Sequence, residues 1–271
     1  MPEQMSISPV GKLLKHWRGV RRRSQLELAL EANVSARHVS FIETGRSRPS
    51  REMVLQLAEV LQVPLREQNA MLTAAGYAAQ YRETGLDEPE MDQIRMALEQ
   101  LLDALQPAGA IVVDRHWDVR MVNDAMARML GLLLGELPAA DGPVNAYRLA
   151  MRPEGLRPFI VNWEEMAGHL IQRLHREALA AGPDGELQAL LDEVLSYPGM
   201  PREWATPDLE HPAGPVLTLH LRKDGTDIRL FTTITTFGTA QDITLQELRI
   251  ESFHPADAPT ADLLRSLAAP S

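Results

Sequence analysis

The feature that most constrains this chain is a pair of short helices joined by a turn too tight for anything but a crossing pair. Ser24 stands where an N-cap belongs, and Glu27, three residues on, completes a capping box. The helix it opens is predicted over residues 25 to about 32, with Leu26, Ala29 and Leu30 on its inward face and Ala29 small where the next helix crosses. Asn33-Val34 forms the turn: Asn tolerates a left-handed backbone, and Val34 fills the gap between the helices. Ser35 caps a second helix over residues 36 to about 43. It turns Val39 and Ile42 inward and leaves Ala36, Arg37, His38, Ser40 and Phe41 on or near the outer face. Leu13, Leu14 and Trp17 form the stripe of a preceding helix. Ser50 caps a fourth helix carrying Met53, Val54, Leu57, Ala58 and Leu61, and residues 65–75 make a fifth. The spacing therefore predicts an all-α, five-helix bundle of helix-turn-helix type over residues 1–82.

The outer face carries the chemistry that reads duplex DNA. Arg37 can donate two bonds to guanine, Ala36 and Phe41 can touch a thymine methyl, and Ser40 can bond a base or a phosphate. Ser35 and His38 flank them on the same end of the helix, where a recognition helix meets the major groove. Gln25 opens the first helix of the pair, and its amide together with free backbone N–H groups suits a phosphate. Thr44, Arg46, Ser47 and Arg48 make a turn of two hydroxyls and two guanidinium groups, matched to the DNA backbone. Arg21-Arg22-Arg23, just before the pair, adds further phosphate attraction.

Net charge is −10, which looks wrong for such a partner until it is divided. Residues 1–82 hold 12 Lys+Arg and 7 Asp+Glu, a net +5, and the remainder holds 15 and 30, a net −15. Attraction to phosphate comes from one end only, and the acidic part is expected to face away from the duplex.

With 271 residues and 45% apolar content the chain has room for two packed cores. It has no cysteine, hence no disulfide and no thiol chemistry. No secretory leader opens it and no apolar run approaches the ~18 residues of a membrane span, so a soluble cytoplasmic protein is expected, with no membrane partner. Glycine-rich phosphate loops, nucleophile elbows and metalloprotease motifs are all missing. Glu165 and His169 could be half a metal site but no second cluster completes it, and adjacent Glu164 and Glu165 lack the opposed geometry of an acid–base pair. The expectation is no enzyme, no metal site and no required cofactor.

Residues 7–75 resemble the phage-repressor-like (xenobiotic-response-element) helix-turn-helix family. Where that family usually has Gly in the turn and Leu two residues before the capping Ser, this chain has Asn33 and Arg22; the Arg is read as only adding charge. A narrower likeness lies in His38-Val39-Ser40-Phe41-Ile42-Glu43-Thr44-Gly45-Arg46, Arg51-Glu52-Met53-Val54 and Ala74-Ala75-Gly76-Tyr77-Ala78, which are similar to the MmyB-like regulators. That resemblance implies a PAS-like ligand-binding domain after the bundle, with a fatty acid as the ligand class.

The rest of the chain reads as such a second domain. Residues 83–89, polar and broken by Gly85 and Pro89, are the linker; residues 90–256 are the domain; residues 257–271 are a short, partly disordered tail. A helix over about 90–105 spaces Met91, Ile94, Leu98, Leu101 and Leu105 by three and four, and serves either its own domain or a dimer contact. Residues 110–114 and 118–123 read as strands, and Asn123 or Asp124 caps a helix through Leu134. Val122-Asn123-Asp124-Ala125-Met126 resembles the second strand and following helix of PAS domains. Residues 142–196 read as helical, broken at Gly182-Pro183-Asp184-Gly185. Two alternating runs, 216–221 and 227–235, flank Asp224-Gly225, a strong hairpin signal, and 243–253 reads as a last strand. The fold class is thus an α+β, PAS-like domain with a curved antiparallel sheet of about five strands and a helical insertion.

The resemblance, together with an unusual supply of soft methionines, implies a cavity for a small apolar ligand, a fatty acid being the class it suggests. Met121, Met126, Met129, Met151 and Met166 are candidates to line it, with Phe159, Trp163, Leu219 and Phe231 as walls. Arg120, His169 and Arg173 are candidates to hold a carboxylate at one polar end. The alternative is that these side chains fill a solid core and the domain is a ligand-free interaction or dimerisation module. A homodimer on a roughly palindromic operator is expected, because one small head buries little surface.

Overall fold

The computed structural model describes residues 8–135, 142–181, 185–207 and 217–268. It divides into two compact units, Met1–Gly85 with Gly238–Gln246, and Leu86–Phe237 with Glu247–Ser271.

The first unit is the five-helix bundle: α1 Pro9–Val20, α2 Gln25–Glu31, α3 Ala36–Glu43, α4 Arg51–Val60 and α5 Leu65–Ala74. Ser8, Ser24, Ser35 and Ser50 each accept a backbone N–H of the first turn they cap, and at Ser24 the box closes through Glu27. Asn33 takes the left-handed conformation at φ 51°, as expected. Arg22 does the same at φ 52°, so this position is a helix-ending backbone site rather than a mere charge. Leu14, Trp17, Leu28, Ala29, Val39, Ile42, Leu57 and Leu72 form the core. α1 crosses the end of α3 so closely that a Cβ on Gly11 would stand 2.6 Å from the Ile42 carbonyl oxygen. One expectation fails here. On α2 the buried positions are Leu28, Ala29 and, just beyond, Ala32, while Leu26 and Leu30 are 59% and 71% exposed. Two turns of helix present only one narrow stripe inward, and its phase is set by the crossing with α3.

The second unit opens with a 3₁₀ turn, Pro89–Met91, and α6 Asp92–Ala104, whose Leu98 and Leu102 are buried while Leu101 faces out. Then come β1 Gly109–Val113, β2 Val119–Val122, α7 Asp124–Leu134, α8 Ala146–Met151, α9 Trp163–Ala180, α10 Gly185–Leu195, β3 Thr218–Lys223 and β4 Thr226–Thr236. After α11 Ile243–Glu247 the chain returns as β5 Arg249–Pro255 and ends in α12 Ala258–Ala268. The sheet is antiparallel throughout, five strands as expected, in the order β2-β1-β5-β4-β3. Asp224 and Gly225 both carry positive φ, 49° and 79°, the turn the β3–β4 hairpin needs.

Asn123 pins this unit together. Its side-chain oxygen accepts from Met126 N and Ala110 N, both at 2.9 Å, and its amide donates to Leu102 O at 3.1 Å and Ala108 O at 3.0 Å. One buried side chain therefore caps α7 and ties it to the ends of α6 and β1.

Three expectations are corrected. The predicted last strand starts only at Arg249: residues 243–247 form α11, and Asp242 caps that turn by accepting from Thr244 N at 2.9 Å. Gly238–Gln246 belongs to the first unit, where Gln246 accepts from Leu65 N at 2.8 Å and supplies the cap that Pro64 cannot. Within the predicted tail, Ala258–Ala268 is instead the amphipathic helix α12, with Thr260 and Leu264 buried. The break expected at residues 182–184 and the start of the hairpin at Val216 lie outside the described residues.

Candidate functional site

The first candidate site is the outer face of α3 and the loop after it. Ser35 accepts from His38 N at 3.1 Å, which holds the first turn of α3, where Arg37 projects into solvent. Phe41 is half-buried, and the guanidinium carbons of Arg37 and Arg46 stand 5.0 and 5.8 Å from its ring centroid. Ser40, one residue before Phe41, is half-buried. Ser47 N donates to Phe41 O at 3.1 Å, and the Thr44 hydroxyl donates to Ser40 O at 2.7 Å, so both are tied to the end of the helix.

Three of the predicted residues are placed otherwise. Ala36 packs against the bundle core and is only half-open to solvent. Gln25 donates through its amide to Glu43 Oε2 at 2.6 Å. Arg48 turns its fork back onto Ala75 O, at 3.1 and 2.9 Å, and lies 5.6 Å from the Tyr77 ring, so it caps the end of α5. Glu43 was missed from sequence. Buried to 4% exposure, it binds Arg18 through two bonds of 2.7 and 3.1 Å as well as Gln25, and so locks α1 and α2 to the end of α3. Arg18 is held above its ordinary pKa by that hydrogen bond, against the cost of burial.

The second candidate site is a cavity of about 300 Å³ inside the second unit. Leu219 and Leu221 of β3, in one row as period-2 alternation requires, and Leu217 just before it form one wall. Met126, Met129 and Leu133 of α7, Met166 and Leu170 of α9, and Ile111 of β1 form the others. Of the predicted lining, Met121, Met126, Met129, Met166, Leu219, Arg120 and Arg173 are present.

Phe159, Trp163, Phe231 and His169 are absent from the lining among the described residues. Trp163 stacks on Arg157 at 4.4 Å, and Phe159 faces Lys223 at 5.7 Å. Phe231 stacks on His254 at 5.2 Å, while Thr232 lines the cavity instead. Ile228, Leu230 and Thr232 are in the apolar phase of β4, and that alternation was the signal for the correct face. His169 lies a turn before Arg173; burial and the Arg173 charge depress its pKa, which disfavours a cationic anchor. Met151 is fully buried in the core rather than at the cavity.

The polar lining converges on Arg173. Its Nε donates to Tyr147 Oη at 3.1 Å, its guanidinium carbon is 4.1 Å from the Trp117 ring centroid, and among the described residues Nε carries its only hydrogen bond. Trp117 is fully buried at φ 68° and faces a second guanidinium, Arg249, at 4.7 Å. Glu177 Oε2 receives both the Trp117 indole N–H at 2.8 Å and Arg249 Nη1 at 2.9 Å. Tyr147 and Glu251, also in the lining, are fully buried. Burial pushes the Tyr147 hydroxyl up to about 12 and raises the Glu251 carboxyl above its ordinary range, the latter against the pull of Arg173. Burial also works against the Arg173 charge, but the Tyr147 and Glu251 oxygens around it raise its pKa, so it stays cationic. Arg120 lines the cavity too, yet it is half-exposed and paired with Asp114 Oδ2 at 3.0 Å. Tyr147, Glu251 and Thr232 were not foreseen; only a charged residue inside the predicted last strand carried a signal.

Residues 94–267 match the family model of the MmyB-like transcription regulator ligand binding domain, and residues 14–68 match a helix-turn-helix model. No curated protein matches the chain. Among solved structures, an RNA-binding light-oxygen-voltage receptor aligns with 96% of this chain at 12% identity and a TM-score of 0.26, too loose a superposition to carry any argument. The chain spans 62% of the length of that structure.

Proposed function

Because the chain belongs to the MmyB-like transcription regulators, with a DNA-binding and a ligand-binding domain, we propose that its cavity takes a long-chain carboxylate, a fatty acid, and that the bound ligand adjusts DNA binding. One observation carries this reading: an apolar cavity of about 300 Å³ with the buried, cationic Arg173 in its wall, its only hydrogen bond among the described residues made through Nε. That size sits at the low end of the range for small-molecule sites, and mostly apolar walls with a few convergent polar groups are their usual make-up. Burial raises the Glu251 carboxyl and the Tyr147 hydroxyl, disfavouring negative charge on both beside the cationic Arg173, which favours an anionic head group from outside. The methionine side chains adapt to a flexible tail.

Arg37 reads a base in this account, Arg46 holds a phosphate, and Ser35, His38, Ser40, Thr44 and Ser47 shape the face between them. The protein acts where DNA is, in the cytoplasm, as a homodimer, with no enzymatic activity and no obligatory cofactor. Among the described residues no helix is long and apolar enough to cross a membrane. Met96 and Leu101, 54% and 45% exposed on α6, offer apolar surface for the dimer contact.

Solvent extraction of the purified protein followed by mass spectrometry tests the ligand. A long-chain fatty acid should be recovered from the wild type, and Arg173→Met or Met166→Trp should lose it while remaining folded. Recovery of no lipid, with no uptake of added fatty acid, would leave the ligand-free interaction module as the better account.

A further inference from the structure

We propose that Phe41 is a positioning residue of the DNA-reading face, setting the separation between Arg37 and Arg46 before DNA arrives. The proposal rests on the reading of α3 as the recognition helix.

Two sets of contacts meet at this residue. Its ring holds the guanidinium groups of Arg37 and Arg46, with carbons 5.0 and 5.8 Å from the centroid. Arg37 reaches it along the helix, four residues earlier, where side chains on one face meet. Arg46 reaches it from the loop. The carbonyl of Phe41 accepts Arg46 N at 2.8 Å and Ser47 N at 3.1 Å, and the Thr44 hydroxyl lies 3.4 Å from it. The backbone of the basic loop and the tips of two arginines are thus referred to one residue.

The physical consequence is preorganisation. A free arginine on a surface samples many rotamers and loses them on binding, which weakens the complex. The negative face of an aromatic ring attracts each guanidinium and narrows that sampling. A base-reading arginine and a phosphate-holding arginine that share one platform are biased toward one arrangement, so sequence preference and backbone attraction become coupled through Phe41.

The test uses the full chain and a duplex selected by the wild type from a random-sequence library, with an unrelated duplex of equal length as reference. Affinity is measured against salt concentration for wild type, Phe41→Leu, Phe41→Tyr, Arg37→Ala and the Arg37→Ala/Phe41→Leu double variant. Circular dichroism and the melting temperature show that each is folded. Phe41→Leu should lower the ratio of selected to unrelated affinity by about tenfold and reduce the salt slope by about one phosphate's worth, about 0.9. Phe41→Tyr, which keeps the ring, should restore both. In the double variant the loss of selectivity should be no greater than in Arg37→Ala alone, because both changes disable the same contact. A folded Phe41→Leu with wild-type selectivity and slope overturns the proposal. So does a loss that Phe41→Tyr fails to rescue, which would mark a purely structural role. If the wild type selects no sequence at all, the reading of α3 itself falls, an outcome distinct from either.

Discussion

The two units hold their candidate sites in opposite ways. In the first, the functional side chains stand on the outside of one helix and one loop, and the buried core behind them serves only to hold that helix still. In the second, the site is the inside: a cavity exists because α7, α8, α9 and the sheet enclose it, and no single element makes it. An outward face can be built from neighbours in sequence, such as the cap Ser35, Arg37 and Phe41. An enclosed cavity depends on residues such as Ile111, Leu219 and Arg173, more than a hundred positions apart for the first two. The first kind of site should therefore survive damage to packing better than the second.

The severest test of that contrast is Asn123→Ala. It removes the cap of α7 and leaves Ala110 N and Ala108 O without this partner, while Leu102 O keeps Leu105 N at 3.3 Å. The expected cost is about 2–4 kcal/mol of second-unit stability, summed from a lost cap and unsatisfied buried groups. Ligand uptake should fall while binding of DNA by α3 persists. Two separated transitions by calorimetry support the contrast, and a single shifted transition breaks it.

Arg37→Ala probes the other side. It should cost about 1–3 kcal/mol of operator affinity and relax preference at one base position, with no change in melting temperature. Footprinting and calorimetry together check this; an Arg37→Ala variant that keeps the wild-type affinities for both operator and random DNA would remove Arg37 from its role.

Acid should act on the second unit through Glu193. Hydrogen bonds from Arg148, then from Tyr197 and Arg152, hold its carboxyl at about 2, and they join α8 to α10. The folded value lies below the unfolded one, so this contribution is complete above about pH 4.5 and is lost as pH falls toward 2. Melting temperature measured from pH 6 to 2.5 should drop more steeply in the wild type than in Glu193→Gln. The raised carboxyl of Glu251 has the opposite sign: its stabilisation belongs to the protonated form and is lost as pH rises through its folded value.

The smallest effect concerns Gln246, which caps α5 from the strand-connecting segment 238–246. Gln246→Ala should lower first-unit stability by about 0.5–1 kcal/mol. Chemical denaturation followed through Trp17 fluorescence would resolve it, and no change would mean the cap is solvent-replaceable.

Much of the first unit was legible because its determinants are local. Ser24 with Glu27, Ser35, Ser50 and Asn33 each act within one turn of their own position, and the Asp224-Gly225 hairpin obeys the same logic. The orientation of α2 was read less well. Leu26 and Leu30 are as apolar as Leu28, and only the crossing with α3 chose which of them to bury. Arg48 and Gln25 looked like phosphate ligands because sequence shows a charge or an amide but not its nearest acceptor, here Ala75 O and Glu43.

The amino-acid sequence by itself determined the helix-turn-helix, its caps, its basic loop, the split of charge and the alternation of the late strands. These follow from backbone conformational preference and periodicity, which act over a few residues. Only the tertiary structure decided that Phe231 turns away while Thr232 turns in, that residues 258–268 form a docked helix, and that Arg173, Tyr147 and Glu251 meet in the wall of a cavity. Such meetings are set by register between strands and by the fit of distant surfaces, and the burial that shifts the Tyr147 and Glu251 protons exists only once the chain has closed around them.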